Sequence, residues 1–270
     1  MRLRTIVSCP LGSDARGVAL ASAADAVAIS VPDARAETRV AAAAARDAAI
    51  VAGKGLLAWV NHPRTRQLRD DLDALVGPGL GAVLLPHAVE PQDVRDAAVL
   101  LREFEYTRGM EPGCIALFPV IDTARGLLRA AEIAAAAPRV GGLVFDSAAY
   151  AADTGARDEE HGPRLAYARG LVVAAARAVD GLPLVKANAF ELGQLANDGF
   201  AGVILADAVM AGAANGAFTP TPAEVQRARA AIAAYEGAKA AGEWVGRLGC
   251  LVVDASAARK ARQTIEQAGA

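Results

Sequence analysis

Residues Cys114–Gly126 read CIALFPVIDTARG. An uninterrupted apolar run, CIALFPVI, ends on the carboxylate of Asp122; Thr123 follows, and AEIAAAA further on has the composition of a helix. A buried strand that stops at an acid just before a helix is how an α/β barrel presents a catalytic group. The same acid would also suit a helix N-terminus, where the dipole and the unpaired amides favour a carboxylate. On this stretch alone both readings of Asp122 stand.

The rest of the chain repeats the pattern. Short apolar runs, RTIVSC, AVAISV, LLAWV, GAVLLP, CIALFPV, GGLVFD, LPLVKA and GVILAD, alternate with longer amphipathic segments such as PQDVRDAAVLLREFEY and PRLAYARGLVVAAARAV. This is the βα rhythm of a parallel sheet. Eight such units in 270 residues predict an α/β fold, a (β/α)8 TIM barrel over residues 1–240. A doubly wound sheet is the alternative, but no GxGxxG follows an early strand. TPTPAEVQRARAAIAAYEGAKAAG is expected to be a helix with Thr219 as its N-cap. Residues 241–270 then form a C-terminal tail, a short extended piece plus a helix, which packs on its own barrel or on a neighbouring subunit.

Composition narrows the functions. Hydrophobic residues make up 54% and aromatics 4%, so the core is built from Ala, Val, Leu and Ile. Net charge is −2 and basic residues form no run, which argues against nucleic acid and membrane surfaces as partners. The opening MRLRTIVSCPLGSDARG reads as a first strand cut by Pro10 and Gly12 rather than as a signal peptide. AAAAARDAAIVA is broken by Arg46 and Asp47, far short of the roughly 20 apolar residues a membrane span needs. Cys9, Cys114 and Cys250 have no CxxC spacing and lie in apolar surroundings; they are expected to be buried thiols of a cytoplasmic protein.

In a barrel the functional groups lie at the C-terminal strand ends. Those positions hold Ser8, Asp33, Asn61, His87, Asp122, Asp146, Lys186 and Asp207. Acids from three strands suit a hard cation such as Mg²⁺. Each residue also has a plainer reading. Asp33 suits a helix cap, His87 a solvated loop, and Asn61 a bond to loop backbone. Lys186, at the end of an apolar strand, reads as an amine nucleophile or as the counter-charge of an acid.

These residues and their order resemble the citrate lyase β-subunit-like (CitE-like) branch of the HpcH/HpaI aldolase superfamily. Arg4 opens a strand like the family's RSxLFVPG, and Ala24-Asp25-Ala26-Val27 is similar to GADAV. Val60-Asn61 corresponds to VRVN, LLP at 84–86 to LPK, VIDTARG at 120–126 to IETARG, and GGLVFDSAAYAADTG to GLLFGAEDLAADLG. FTPTPAEVQRAR at 218–229 is close to FTPSPEEVxxAR, and LVVDASAARKAR at 251–262 to the GKMVD segment and its helix.

The resemblance implies a (β/α)8 barrel, a homotrimer or hexamer whose tail completes a neighbour's site. It also implies a lyase that uses Mg²⁺ or Mn²⁺ on a small oxoacid or acyl-CoA ester and makes or breaks a carbon–carbon bond through an enolate. The resemblance gives Asp122 as a metal ligand and Asp254 as the acid/base; the strand-end reading adds Asp146 as the second metal candidate and Lys186 as a second catalytic candidate, and Arg4, Trp59, Asn61 and His87 are the expected substrate contacts. The departures are specific. LDLED reads Ile29-Ser30-Val31-Pro32-Asp33, the arginine of VRVN is Trp59, the LPK lysine is His87, and the HP of the last strand is Asp207-Ala208. The metal-ligand glutamate is Asp122, the metal-ligand aspartate falls on Ala149, and Lys186 stands where many members have an acid. Three outcomes follow: a divergent metal-dependent lyase with an altered substrate site, a catalytically silent paralogue kept for binding or assembly, or a metal-free Schiff-base aldolase using Lys186.

Overall fold

A computed structural model describes residues 3–10, 15–30, 36–156, 165–187 and 192–269. Eight parallel strands close into a barrel in chain order. They are β1 (Thr5–Pro10), β2 (Ala26–Ser30), β3 (Gly55–Trp59), β4 (Leu80–Leu85), β5 (Ala116–Ile121), β6 (Gly142–Asp146), β7 (Leu182–Lys186) and β8 (Gly202–Leu205). Each coincides with one apolar run, because strands sandwiched between a packed interior and covering helices are buried on both faces. The closing seam pairs Thr5, Ile6 and Val7 of β1 with Val203, Ile204 and Leu205 of β8. At that seam a Cβ on Gly202 would stand 1.8 Å from the Leu3 carbonyl oxygen, so only glycine admits the approach.

The helices of the barrel are α1 (Ala15–Ala21), α2 (Ala36–Val51), α3 (Leu68–Leu75), α4 (Pro91–Thr107), α5 (Ala124–Leu128), α6 (Ala130–Ala134), α7 (Ser147–Thr154), α8 (Ala166–Arg177), α9 (Leu192–Asn197) and α10 (Ala211–Ala217). No helix among the described residues is long and apolar enough to cross a membrane.

The barrel interior is filled by alternate residues of the strands: Ile6, Ala26, Ala28, Leu57, Ala82, Leu84, Phe118, Val120, Val144, Leu184 and Ile204. Alanines on β2 and β4 leave room for Phe118 and Leu57, so the interior is a packed core rather than a pore. The N-terminal mouth is tied by ion pairs. Arg4, one residue before β1, reaches Asp25, one residue before β2, with Nη2 2.6 Å from Oδ1. Glu105 of α4 is fully buried; it accepts from Arg139 Nη1 and Nη2 at 3.0 and 2.8 Å and from the amides of Gly113 and Ile115.

The chain divides into two compact units, Met1–Asn215 and Gly216–Ala270, a boundary ahead of the residue 240 expected from sequence. The second unit holds α11 (Pro222–Ala240), an antiparallel hairpin of β9 (Gly246–Leu248) and β10 (Leu251–Val253), and α12 (Ala255–Ala268). The N-cap of α11 is Thr221 rather than Thr219. Thr221 and Glu224 are spaced for a capping box, the hydroxyl accepting from the Glu224 amide and the Glu224 carboxylate from the Thr221 amide. Only Cys9 is a buried thiol; Cys114 precedes its strand and Cys250 sits at the hairpin turn, and both are exposed. Apolar neighbours in sequence did not carry these two inside.

Candidate functional site

The inward alternation that fills the core continues past it at the C-terminal mouth. Side chains two apart on a strand share a face. Ser8 therefore follows Ile6, Trp59 follows Leu57, Asp122 follows Val120, Asp146 follows Val144, and Lys186 follows Leu184. Register brings three of these side by side. Val120 pairs with Val144, so Asp122 and Asp146, each two residues on, are neighbours; Asp146 pairs directly with Lys186. The result is a row, Asp122–Asp146–Lys186, set on a floor of Phe118, Val120 and Val144.

The two acids are partnered in opposite ways. Asp122 is 4% exposed. Its Oδ2 accepts from the backbone amide of His87 at 3.0 Å and lies 3.0 Å from His87 Nδ1, while Oδ1 has no hydrogen-bond partner. Thr123 is the N-cap of α5, its hydroxyl accepting from the Gly126 amide, which leaves Asp122 free of that duty. Burial pushes the Asp122 carboxyl above the ordinary carboxylate range; His87 opposes the rise and the charge of Asp146 adds to it. Asp146, by contrast, caps α7: Oδ1 accepts from the Ala149 amide at 3.2 Å and Oδ2 from Lys186 Nζ at 2.7 Å.

Trp59 and Ser8 face this row. The indole Nε1 donates to Ser8 Oγ at 3.0 Å, and Lys186 Nζ lies 5.6 Å from the ring centroid, within cation–π range. The strand between them, β2, places small residues, Ala26, Ala28 and Ser30, on the same interior face, so the indole can span from β3 to β1. Ser8, Asp146, Ser147, Lys186, Ile204 and Leu205 line a cavity of about 190 Å³. Ser8 appeared in the sequence only as a strand end; the two-residue parity with Ile6 is the signal that places it inward.

The other expected site residues fall elsewhere. Arg4 stands at the N-terminal mouth and is forked onto Asp25, which removes it from the substrate contacts. A motif match fixes a residue's place along the chain, but Arg4 precedes its strand and so meets the wrong end of the barrel. Asn61 is at the correct end, yet its amide nitrogen and side chain both donate to the buried Asp71, at 2.6 and 2.9 Å. Burial raises the Asp71 carboxyl against the pull of those bonds. Asp207 caps the turn Ala208–Met210. Asp254, in the second unit, caps α12; the Ala257 amide and then the Ser256 hydroxyl hold its carboxyl below the ordinary range. His87 reaches Asp122 from a left-handed backbone (φ 54°) with its side chain 67% exposed. Asp33 lies outside the described residues.

A divalent cation of the Mg²⁺ type wants several oxygen ligands, commonly one or two carboxylates completed by water and substrate. Asp122 Oδ1, buried and without a hydrogen-bond partner, offers one oxygen of that kind. Asp146 is already charge-paired: Oδ2 holds the Lys186 ammonium at 2.7 Å, a cation a dication would have to displace, while Oδ1 accepts from the Ala149 amide. Position 149 is alanine, and among the described residues no three His, Cys, Asp or Glu side chains converge as a metal site. Among the described residues, the side chains do not make that cation's donor set.

Fold and mouth together define the class: a (β/α)8 barrel with its ionisable side chains at the end where such barrels keep their active sites. Within that class the chain belongs to the HpcH/HpaI aldolase/citrate lyase family, whose sequence pattern matches residues 15–211. It is 32% identical over 221 residues to a (3S)-malyl-CoA thioesterase of Cereibacter sphaeroides, covering 78% of this chain and 73% of that one. It is 29% identical over 208 residues to the citrate lyase subunit beta of Escherichia coli, covering 74% and 69%. Among solved structures, CitE of Mycobacterium tuberculosis in complex with magnesium, acetoacetate and coenzyme A aligns over 100% of this chain and 99% of that one, with a TM-score of 0.69 at 23% identity. A citrate lyase from Burkholderia xenovorans aligns over 98% and 91%, with a TM-score of 0.77 at 14% identity. These two likenesses concern the fold.

Proposed function

We propose that the protein is a carbon–carbon lyase of divergent specificity that takes a small oxoacid, or the acyl end of a CoA ester, into the C-terminal mouth. The observation that carries this is the Asp122–Asp146–Lys186 row beside a cavity of about 190 Å³. That opening admits several water-sized groups, the scale of a short acid or acyl group. Family membership supports the same class, since curated relatives are named for citrate and malyl-CoA chemistry.

In cleavage of a β-hydroxy acyl compound, a base takes the hydroxyl proton as the Cα–Cβ bond breaks. The bonding pair moves into an enolate, and a proton returned to Cα completes the products. The Asp122–His87 pair has the geometry to accept and return that proton: a buried carboxylate orients a solvent-exposed imidazole at 3.0 Å. Trp59 in place of a forked guanidinium points to a substrate without a second carboxylate at that position. A magnesium-dependent version would draw on Asp122 Oδ1 and require Lys186 to leave Asp146. Schiff-base chemistry would need Lys186 as a free amine rather than in its ion pair.

The proposal extends to a homotrimer or hexamer in which Asp254 serves a neighbour's mouth. Trp244 is 90% exposed and α11 buries only Ala228, surfaces that a second chain would cover. Mixing Asp254→Asn with Lys186→Met chains should restore activity if sites are shared.

The central test follows methyl-proton exchange of pyruvate and acetyl-CoA in D₂O by NMR, an assay of enolate formation alone. Exchange that is lost in Asp122→Asn supports the lyase. Binding of these ligands without exchange would instead mark a silent paralogue, and borohydride trapping of pyruvate on Lys186 would mark the aldolase.

A further inference from the structure

The ion pair at the centre of the mouth has the arrangement expected of a replaced metal. Where the family resemblance puts a second acidic ligand, residue 149 is alanine, and its backbone amide occupies Asp146 Oδ1. Asp146 Oδ2 carries the Lys186 ammonium at 2.7 Å. The ammonium also lies over the Trp59 ring, 5.6 Å from its centroid, and that indole is itself fixed on Ser8 Oγ at 3.0 Å. Lys186 lines the cavity with its side chain 47% exposed, so an ammonium with three donors spends one on Asp146 and keeps others for a ligand. A dication at the same place would meet this charge at short range and would have to displace the ammonium from Asp146 Oδ2.

We infer that the Lys186 ammonium, held by Asp146 over the Trp59 ring, is the site's built-in cation and receives the substrate's carbonyl or enolate oxygen in place of a divalent metal ion. This rests on reading the mouth as an oxoacid or acyl-thioester site. A fixed ammonium aimed at an oxygen that gains charge performs the electrostatic task otherwise given to a Lewis acid. It does so as a hydrogen-bond donor, and no bond to nitrogen forms or breaks.

Two measurements on the full chain, freed of metal with EDTA, test it. Oxalate, a planar mimic of a pyruvate enolate, is titrated calorimetrically with EDTA present and then with Mg²⁺ in excess. Manganese uptake is followed by the loss of the free Mn²⁺ paramagnetic resonance signal. The expected results are oxalate binding in EDTA that added Mg²⁺ leaves within about twofold, and a loss of about tenfold or more in Lys186→Met, the scale of one charge-assisted hydrogen bond. Wild-type protein should leave Mn²⁺ free, whereas a Lys186→Met, Ala149→Asp double variant should take it up. Oxalate binding that requires Mg²⁺, or stoichiometric Mn²⁺ uptake by the wild type, overturns the inference while leaving the oxoacid site intact. Absence of oxalate binding under both conditions overturns the site reading and the inference together. The wild-type arms need no variant, so misfolding of Lys186→Met cannot mask the answer.

Discussion

His87 holds Asp122 by two contacts on one oxygen: its backbone amide and its ring Nδ1 both lie 3.0 Å from Asp122 Oδ2. The contact ties the loop after β4 to the end of β5, with His87 at a left-handed φ of 54° that a non-glycine residue adopts only at a cost. The opposite carboxylate oxygen is left buried and unpartnered. A buried carboxylate with one oxygen unpartnered costs stability when charged, and its removal should show the difference.

Burial raises the Asp122 carboxyl above its usual value. For an acid raised in the folded state, its stabilising share is complete below the unfolded value and is lost as pH rises through the folded one. Asp122→Asn abolishes the charged form and keeps an acceptor for the His87 amide. The variant should therefore be more stable than the parent at neutral pH, with the gap closing as pH falls toward the ordinary value of 3.8. Thermal melts from about pH 4 to about pH 8 read this directly. A variant less stable at every pH would mean that Asp122 is a structural residue.

Glu105 has the opposite sign. Burial works against its charge, but Arg139 and the amides of Gly113 and Ile115 outweigh it and hold the carboxyl below its usual range. Its contribution is present at neutral pH and lost as pH falls through the folded value. Glu105→Gln leaves Arg139, 8% exposed, without its counter-charge. Removing one partner of a buried pair costs about 3–5 kcal/mol. Urea unfolding at neutral pH should show a loss near the lower figure, since glutamine retains one acceptor, and the loss should shrink in acid. Ligand binding at the far mouth should survive in the folded fraction.

Gly126 connects the sequence motif to the site. A Cβ there would stand 2.6 Å from the Ala88 carbonyl oxygen and 3.1 Å from Thr123 Oγ1. Ala88 follows His87 and donates to the Val120 carbonyl at 3.3 Å, so any push on it moves the loop that carries His87. Gly126→Ala is expected to cost about 1–3 kcal/mol through overpacking, and to weaken oxalate binding as well. A calorimetric titration that shows unchanged affinity would detach this loop from the site.

The barrel was legible because its strands are unbroken apolar runs, and a strand buried on both faces leaves that mark whatever surrounds it. The mouth was legible as a set of strand ends, since the same runs stop on Asp122, Asp146 and Lys186. What the sequence did not carry was partnership. Asp122 and Asp146 look alike in sequence, each an acid at a strand end before a helix. Thr123 takes the cap after one, while the other caps its own helix and binds a lysine 40 residues away. Asn61 likewise turned on Asp71, and Arg4 on Asp25, pairings made by the fold. Thr221 is different: its box with Glu224 is a local spacing that distinguishes it from Thr219 without any structure.

Trp59 and Lys186 are a matched pair, and exchanging one should expose the other. Trp59→Arg would supply the forked donors seen at that place in the family pattern, but it discards the hydrogen bond to Ser8. It also sets a second cation where the ring now faces Lys186 at 5.6 Å. The single variant should lose about 2 kcal/mol, because two cations would share one partner, Asp146. Lys186→Met in the same chain removes the repulsion and frees Asp146 to pair with the new guanidinium. The double variant should then recover about 1 kcal/mol or more relative to the sum of the single changes. A double-mutant cycle by chemical denaturation measures that coupling. Simple additivity would show that the lysine and the indole occupy the mouth independently.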